Sequence, residues 1–170
     1  MTVQVDIQNA CDSTECDQSL PDDPQVSRWV RQVVQDVNRP QSTVTIRFVG
    51  EQDMIRLNGR FRGRYQATNV LSFPYTGPEE LAEGLLGDVI VCLPVVDRQA
   101  RDQEKSFTAH LCHMVVHGVL HLLGYDHEDD TEAAEMEHRE IEILRHLGFP
   151  DPYSGVKPTA VVGWRSAGGH

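Results

Sequence analysis

The chain is expected to fold as an α+β single domain, a four-stranded mixed sheet with packed helices and a central buried helix. Three observations predict this. Short stretches with two-residue alternation or β-branched enrichment interleave with stretches of helical spacing, in the order strand, helix, strand, helix, strand, strand, helix, helix. One of the helical stretches is apolar almost all round, through Leu111, Met114, Val115, Val116, Val119, Leu120 and Leu122, and such a helix belongs between other elements. A length of 170 residues suits one domain with a sizeable core.

Each element has its own signal. Val3, Val5 and Ile7 alternate with polar residues and indicate an opening strand with one buried face. The polar segment 9–22 is a loop. Asp23 and Pro24 suit an N-cap and a first helical residue, and Trp29, Val30, Val33, Val34 and Val37 form a helical stripe that ends at Asn38, Arg39 and Pro40. Residues 43–49 are rich in β-branched side chains and make a strand closed by Gly50. A short helix over 53–58 turns Met54, Ile55 and Leu57 inward, and 59–67 is a loop holding most of the arginines. Residues 69–73 and 86–92 are two more strands, paired as a hairpin or as parallel neighbours, with a Pro-, Gly- and Glu-rich connection between them. Pro94 stops the last strand, and a long helix from Asp97 or Ser106 runs to Leu123. Asp130 or Thr131 caps a final helix with Ala134, Ile141, Leu144 and Leu147 inward and Gly148 as its stop. The domain is expected to span 1–153, and the Gly-, Pro- and Ser-rich end, with 154–170 as a tail, to be loosely held.

Composition excludes several classes. No apolar run approaches the ~20 residues that cross a bilayer, and the first residues lack a basic or apolar leader, so a cytoplasmic protein with no membrane partner is expected. Cys11, Cys16, Cys92 and Cys112 form no CxxC pair, and reduced thiols are expected. A shared metal on Cys11 and Cys16 lacks a second ligand pair. The net charge of −11 argues against broad, sequence-blind binding of nucleic acid. Arg56, Arg60, Arg62 and Arg64 nevertheless fall within nine residues, with Arg47 upstream, and such a patch suits local contact with phosphates or a solvated helix end. The acids collect elsewhere, at 128–130 and then at Glu132, Glu135, Glu137, Glu140 and Glu142.

The chemistry concentrates in HLCHMVVHGVLHLLGYDH, residues 110–127, which hold five of the eight histidines. His117 and His121 are four apart, offset by roughly 40° at about 100° per residue, which lets one helix face offer two imidazoles to one metal. His113 and His117 have the same spacing, so spacing alone does not choose the pair. What favours the second is Gly124, a helix-ending residue type, with His127 placed beyond the reversal to complete three. Three imidazoles leave a coordination position open, as in a catalytic zinc site. The protease helix signature would place Glu after His117, and here that residue is Gly118.

HMVVHGVLHLLGYDH, FRGRYQATNVLSFPY, LLGDVIVC and the later DPY together resemble the YbeY family of bacterial rRNA maturation factors. The likeness runs from about Val3 to Tyr153, and the signature H-G-x-L-H-L-x-G-Y-D-H is met in full from His117 to His127. Ala67 departs from it, where the family commonly has proline. The resemblance implies a single-strand-specific, metal-dependent endoribonuclease acting on rRNA, at the 16S 3′ end, in ribosome assembly and quality control. It implies His117, His121 and His127 as metal ligands and Arg62 as the functional arginine, with Arg62 and His117 catalytic. It also implies the small ribosomal subunit as partner, with a ribosomal protein and an assembly GTPase. Three imidazoles suit Zn2+, one ion, and nickel or copper also bind such sets. His110 and His113 are not ligands in the family pattern.

Around that centre, Asp126 is either a carboxylate that orients His127 or a turn residue. Asn69 and Ser72 either line a cleft or are edge-strand residues. Phe61, Tyr65 and Phe73 are candidates for base stacking, with Phe73 favoured as core. His138 and His146 are expected to be solvated. Two other functions compete, a zinc hydrolase of peptides or amides and a non-catalytic assembly factor whose metal props up the fold.

Overall fold

The sheet is built on β2 (Gln41–Val49) and β4 (Leu85–Cys92), the two central strands. β1 (Thr2–Asn9) pairs parallel to β2, β2 pairs parallel to β4, and β3 (Val70–Pro74) pairs antiparallel to β4. The order is β1-β2-β4-β3, so the expected four-stranded mixed sheet is present and its last two strands form a hairpin. In this computed structural model, residues 2–39, 41–81, 83–126 and 128–154 are described.

Among the described residues five α-helices accompany the sheet: α1 (Asp23–Asp36), α2 (Glu51–Arg62), α3 (Leu93–Asp102), α4 (Phe107–Leu122) and α5 (Asp130–His146). Alternation along the strands sorts the core into two layers. Val44, Ile46, Phe48, Val70, Val89 and Val91 face α4 and the helices around it. Val49, Leu71, Ile90 and Cys92 face the other way and join Met54 of α2 and Val95 of α3. α4 lies on β3 and β4 with α1, α3 and α5 against its other sides, the central buried helix that its all-round apolar sequence requires.

Several expectations shift. The stretch after Pro94 is a separate helix, since Pro94 sits in the first turn of α3, where its missing N–H costs nothing. α2 extends past Gly59 to Arg62, so Arg60 and Arg62 lie on its last turn rather than in a loop. The caps move by a residue. Asp22 accepts from the Gln25 N–H at 2.9 Å at the start of α1, and Asp129 accepts from the Glu132 N–H at 2.8 Å at the start of α5. On α5 the inward face is Met136, Glu140, Ile143 and Leu144, while Ala134 is exposed. The end of the domain is held more firmly than its composition suggests, because Pro152 is buried and its carbonyl accepts a hydrogen bond from Lys105 Nζ. Residues 155–170 lie outside the described residues. The four cysteines are free thiols, and burial pushes Cys11 up to about 11 and Cys92 up to about 12. No helix among the described residues is long and apolar enough to cross a membrane.

Candidate metal centre

α4 presents its histidines at His110, His113, His117 and His121. Gly118 permits the close seat of this helix on the sheet: a Cβ there would lie 2.5 Å from Val89 Cγ1 and 3.2 Å from Val70 Cγ2. The helix ends as a Schellman turn. Tyr125 N–H bonds the Leu120 carbonyl at 3.1 Å, Gly124 N–H bonds that of His121 at 3.0 Å, and Gly124 has a φ of 97°. The reversal expected at Gly124 is therefore in place.

The rings of His117 and His121 stand one turn apart, with centroids 4.6 Å from each other and Nε2 of both buried. His117 Nδ1 lies 2.7 Å from Glu140 Oε2, a carboxylate of α5 that is 1% exposed. An imidazole that donates its Nδ1 proton to a carboxylate keeps its lone pair on Nε2, the form that binds a metal. The other Glu140 oxygen receives the Tyr153 hydroxyl and lies 3.4 Å from His113 Nε2. Burial alone would raise the Glu140 carboxyl. The imidazoles of His113 and His117, through their hydrogen bonds and polarity, outweigh it and hold the group below the usual carboxylate range. Burial, followed by the Glu140 charge, pushes the Tyr153 phenol up and keeps it a donor. The donor set fits a metal: two imidazoles on one helix face, one of them oriented and polarised by a buried anion.

Arg62 closes α2, and its Nη2 lies 3.5 Å from the Ser72 carbonyl on β3. Ser72 Oγ donates to the Gly118 carbonyl at 2.9 Å, so one residue ties the arginine to the helix turn between His117 and His121. Arg62 makes no ion pair among the described residues. Partial burial, and then the charge of Arg64, depress its guanidinium below the usual value, so an arriving anion would relieve an existing cost.

A family model described as endoribonuclease YbeY matches residues 10–148. The chain belongs to the YbeY family. These are metal-dependent endoribonucleases of rRNA maturation. The solution structure of TM1509 from Thermotoga maritima is similar, with 26% sequence identity and a TM-score of 0.57 over 85% of this chain and 89% of that one.

For a YbeY protein the sequence singled out His117, His121, His127 and Arg62. Three of them are described, His117 and His121 together on α4 and Arg62 linked to that helix through Ser72. His127 lies outside the described residues, and so does the orienting role considered for Asp126 toward it. Among the described residues no three His, Cys, Asp or Glu side chains converge on one metal position. Glu140 is the functional candidate that sequence reasoning missed. In the sequence it falls within the run of acids from Glu128 to Glu142, although it shares a spacing with Met136, Ile143, Leu144 and Leu147. A lone acid on an apolar stripe was the available signal. Asn69 and Ser72 are buried, Ser72 on the edge strand β3 and Asn69 just before it, and Asn69 Nδ2 donates to Gln99 Oε1 at 3.2 Å. His138 and His146 are exposed as expected.

Proposed function

We propose that the protein hydrolyses phosphodiester bonds of single-stranded rRNA at one metal ion held by His117, His121 and His127. The substrate region would be the 16S 3′ end, reached in the cytoplasm on the small ribosomal subunit with a ribosomal protein and an assembly GTPase as neighbours. The observation that carries this reading is the hydrogen bond from His117 to the buried Glu140, one helical turn before His121. A histidine fixed in this way is prepared as a ligand.

Zinc, the ion best suited to three imidazoles, supplies Lewis acidity toward a phosphoryl oxygen and toward water. The remaining work falls to the side chains. Glu140 holds the His117 ring in one tautomer, and Tyr153 and His113 hold Glu140 in turn. Arg62, without a carboxylate partner among the described residues, offers its planar fork to the non-bridging phosphate oxygens and to the charge that grows during cleavage. Peptide hydrolysis is disfavoured by Gly118. A side chain at that position would be driven into Val89 and Val70, where a general base could not serve the metal.

The test is cleavage of single-stranded and duplex RNA by metal-quantified protein, beside His121→Ala and Arg62→Ala proteins purified in the same way. Cutting of the single strand by the wild type alone is expected. Equal cutting by all three would reveal a contaminant and return the protein to a non-catalytic assembly role.

A further inference from the structure

The sheet has a face that α4 never touches. Along β2 the side chains of Thr43, Thr45 and Arg47 alternate with the buried Val44, Ile46 and Phe48 and point away from α4. α2 covers one end of this face through Met54 and Leu57, against Val49, Leu71 and Ile90. The remainder is an open groove of about 780 Å3, with Thr43, Thr45, Arg47 and Asp88 on its floor and Leu57 and Phe61 on one wall. Through Arg47 and Leu57 it continues into a hollow of about 450 Å3 bordered by Arg56, Arg60 and Tyr65.

Three features indicate what fits there. Arg47 and Arg60 make no ion pair among the described residues, and Arg56 is matched only by Asp53, so cationic groups cluster here on a chain of net charge −11. Phe61 is 56% exposed and Tyr65 77% exposed, while Phe61 is held edge-on to Phe73 at 5.2 Å and carries the Arg60 guanidinium 5.5 Å from its ring centre. Finally, Phe61 packs on Phe73 while Arg62 reaches the carbonyl of the preceding Ser72, so the end of the groove and the arginine beside the histidine helix meet at adjacent residues of β3. Guanidinium groups interleaved with exposed rings suit a ligand with alternating phosphates and flat bases, and unpaired bases are free to stack.

We infer that this groove holds the single-stranded RNA on one side of the cleavage point, with Arg47, Arg56 and Arg60 meeting phosphates and Phe61 and Tyr65 stacking on bases. The inference rests on the endoribonuclease reading for its substrate. It adds a binding surface that is separate from the metal centre.

The experiment is fluorescence anisotropy with a labelled, non-cleavable 2′-O-methyl oligouridylate of about twelve nucleotides, the length of an extended single-strand site. Wild-type protein is compared with Phe61→Ala and Arg47→Ala, each checked for unchanged melting. Phe61→Ala is expected to bind about tenfold more weakly. Arg47→Ala should lower the slope of log affinity against log salt by about 0.7, the share of one phosphate contact. In cleavage assays both variants should raise KM and leave kcat unchanged. Wild-type affinity and slope in both variants, with RNA still cut normally, would overturn the groove and leave the endoribonuclease reading intact. Weakened binding in the variants of a protein that cuts no RNA would support the groove and sink that reading. Unchanged RNA binding with lost co-sedimentation on small ribosomal subunits would overturn the inference in favour of a protein partner.

Discussion

Replacing Glu140 by Gln removes one charge and almost no volume from the interior. The carboxylate accepts from His117 Nδ1 at 2.7 Å and from the Tyr153 hydroxyl, and faces His113 Nε2 at 3.4 Å. Glutamine has one acceptor oxygen for these donors, and its amide group must point a donor at one of them. If the amide faces His117, the ring changes tautomer and protonates the nitrogen meant for the metal. If it faces the other side, Tyr153 or His113 must reorient. Hydrogen bonds to a charged partner contribute about 1.5–3 kcal/mol, so the metal-free variant should lose roughly 2 kcal/mol and melt about 4–8 °C lower. Loss of a carboxylate behind a ligating histidine typically weakens metal affinity by about 10–100-fold. Competition with a chromophoric chelator measures the affinity, and a denaturant melt of the metal-free protein measures the stability. Tyr153→Phe is the control. It removes a donor to Glu140 and leaves the His117 bond, so it should cost about 1.5–3 kcal/mol while affinity stays within about threefold. Wild-type metal affinity in Glu140→Gln would refute the reasoning, whatever the change in stability.

Other perturbations separate the remaining roles. Arg62→Ala should lower kcat by about 10²–10³-fold with metal content unchanged, and lost metal would make the arginine structural. Gly118→Ala should cost about 1–3 kcal/mol by forcing a methyl into Val89, visible as a lower urea midpoint, and an unchanged midpoint would contradict the close seat of α4. Burial, then the charges of His113 and Lys105, hold His110 well below the usual imidazole value, so the unfolded chain takes up a proton that the folded chain refuses. Stability of the metal-free protein should therefore fall as pH drops below about 6.5, by up to about 1.4 kcal/mol per pH unit for this group, and His110→Gln should flatten the slope.

Much of the fold was legible because burial is periodic. Short runs with alternating or β-branched residues located the strands, an all-round apolar sequence located the buried helix, and Gly124 marked the reversal after it. The misses have physical causes. Pro94 looked like a stop, yet proline in a first turn also starts a helix, and the true break before α4 lies at Glu104, with a φ of 56°, and the capping Ser106. Gly59 looked like the end of α2, but it sits inside the helix, where a Cβ would collide with the Tyr65 ring, and Gly63 at a φ of 72° is the real C-cap. Glu140 was hidden among acids that are mostly exposed. Its burial depends on Tyr153 and on two histidines of another helix, contacts between residues distant in sequence that local pattern cannot reveal.

The charge layout reconciles an acidic chain with an RNA substrate. α5 packs on α4 and α1 with most of its acids outward, and Asp126, Glu132 and Glu135 gather around the turn that follows α4. Arg47, Arg56 and Arg60 lie on the opposite face of the sheet, with Arg62 at the edge strand between. The histidine helix stands between the two regions. With screening over about 8 Å at physiological salt, a phosphate chain senses the nearby arginines and the nearby acids rather than the net −11. An approach across α2 is attractive, and continuation past the turn at Gly124 is repulsive. Net charge therefore says little about whether this protein can hold RNA. Its separation into two faces favours one direction of approach, and a strand held on the arginine side would meet little to retain it beyond the histidines.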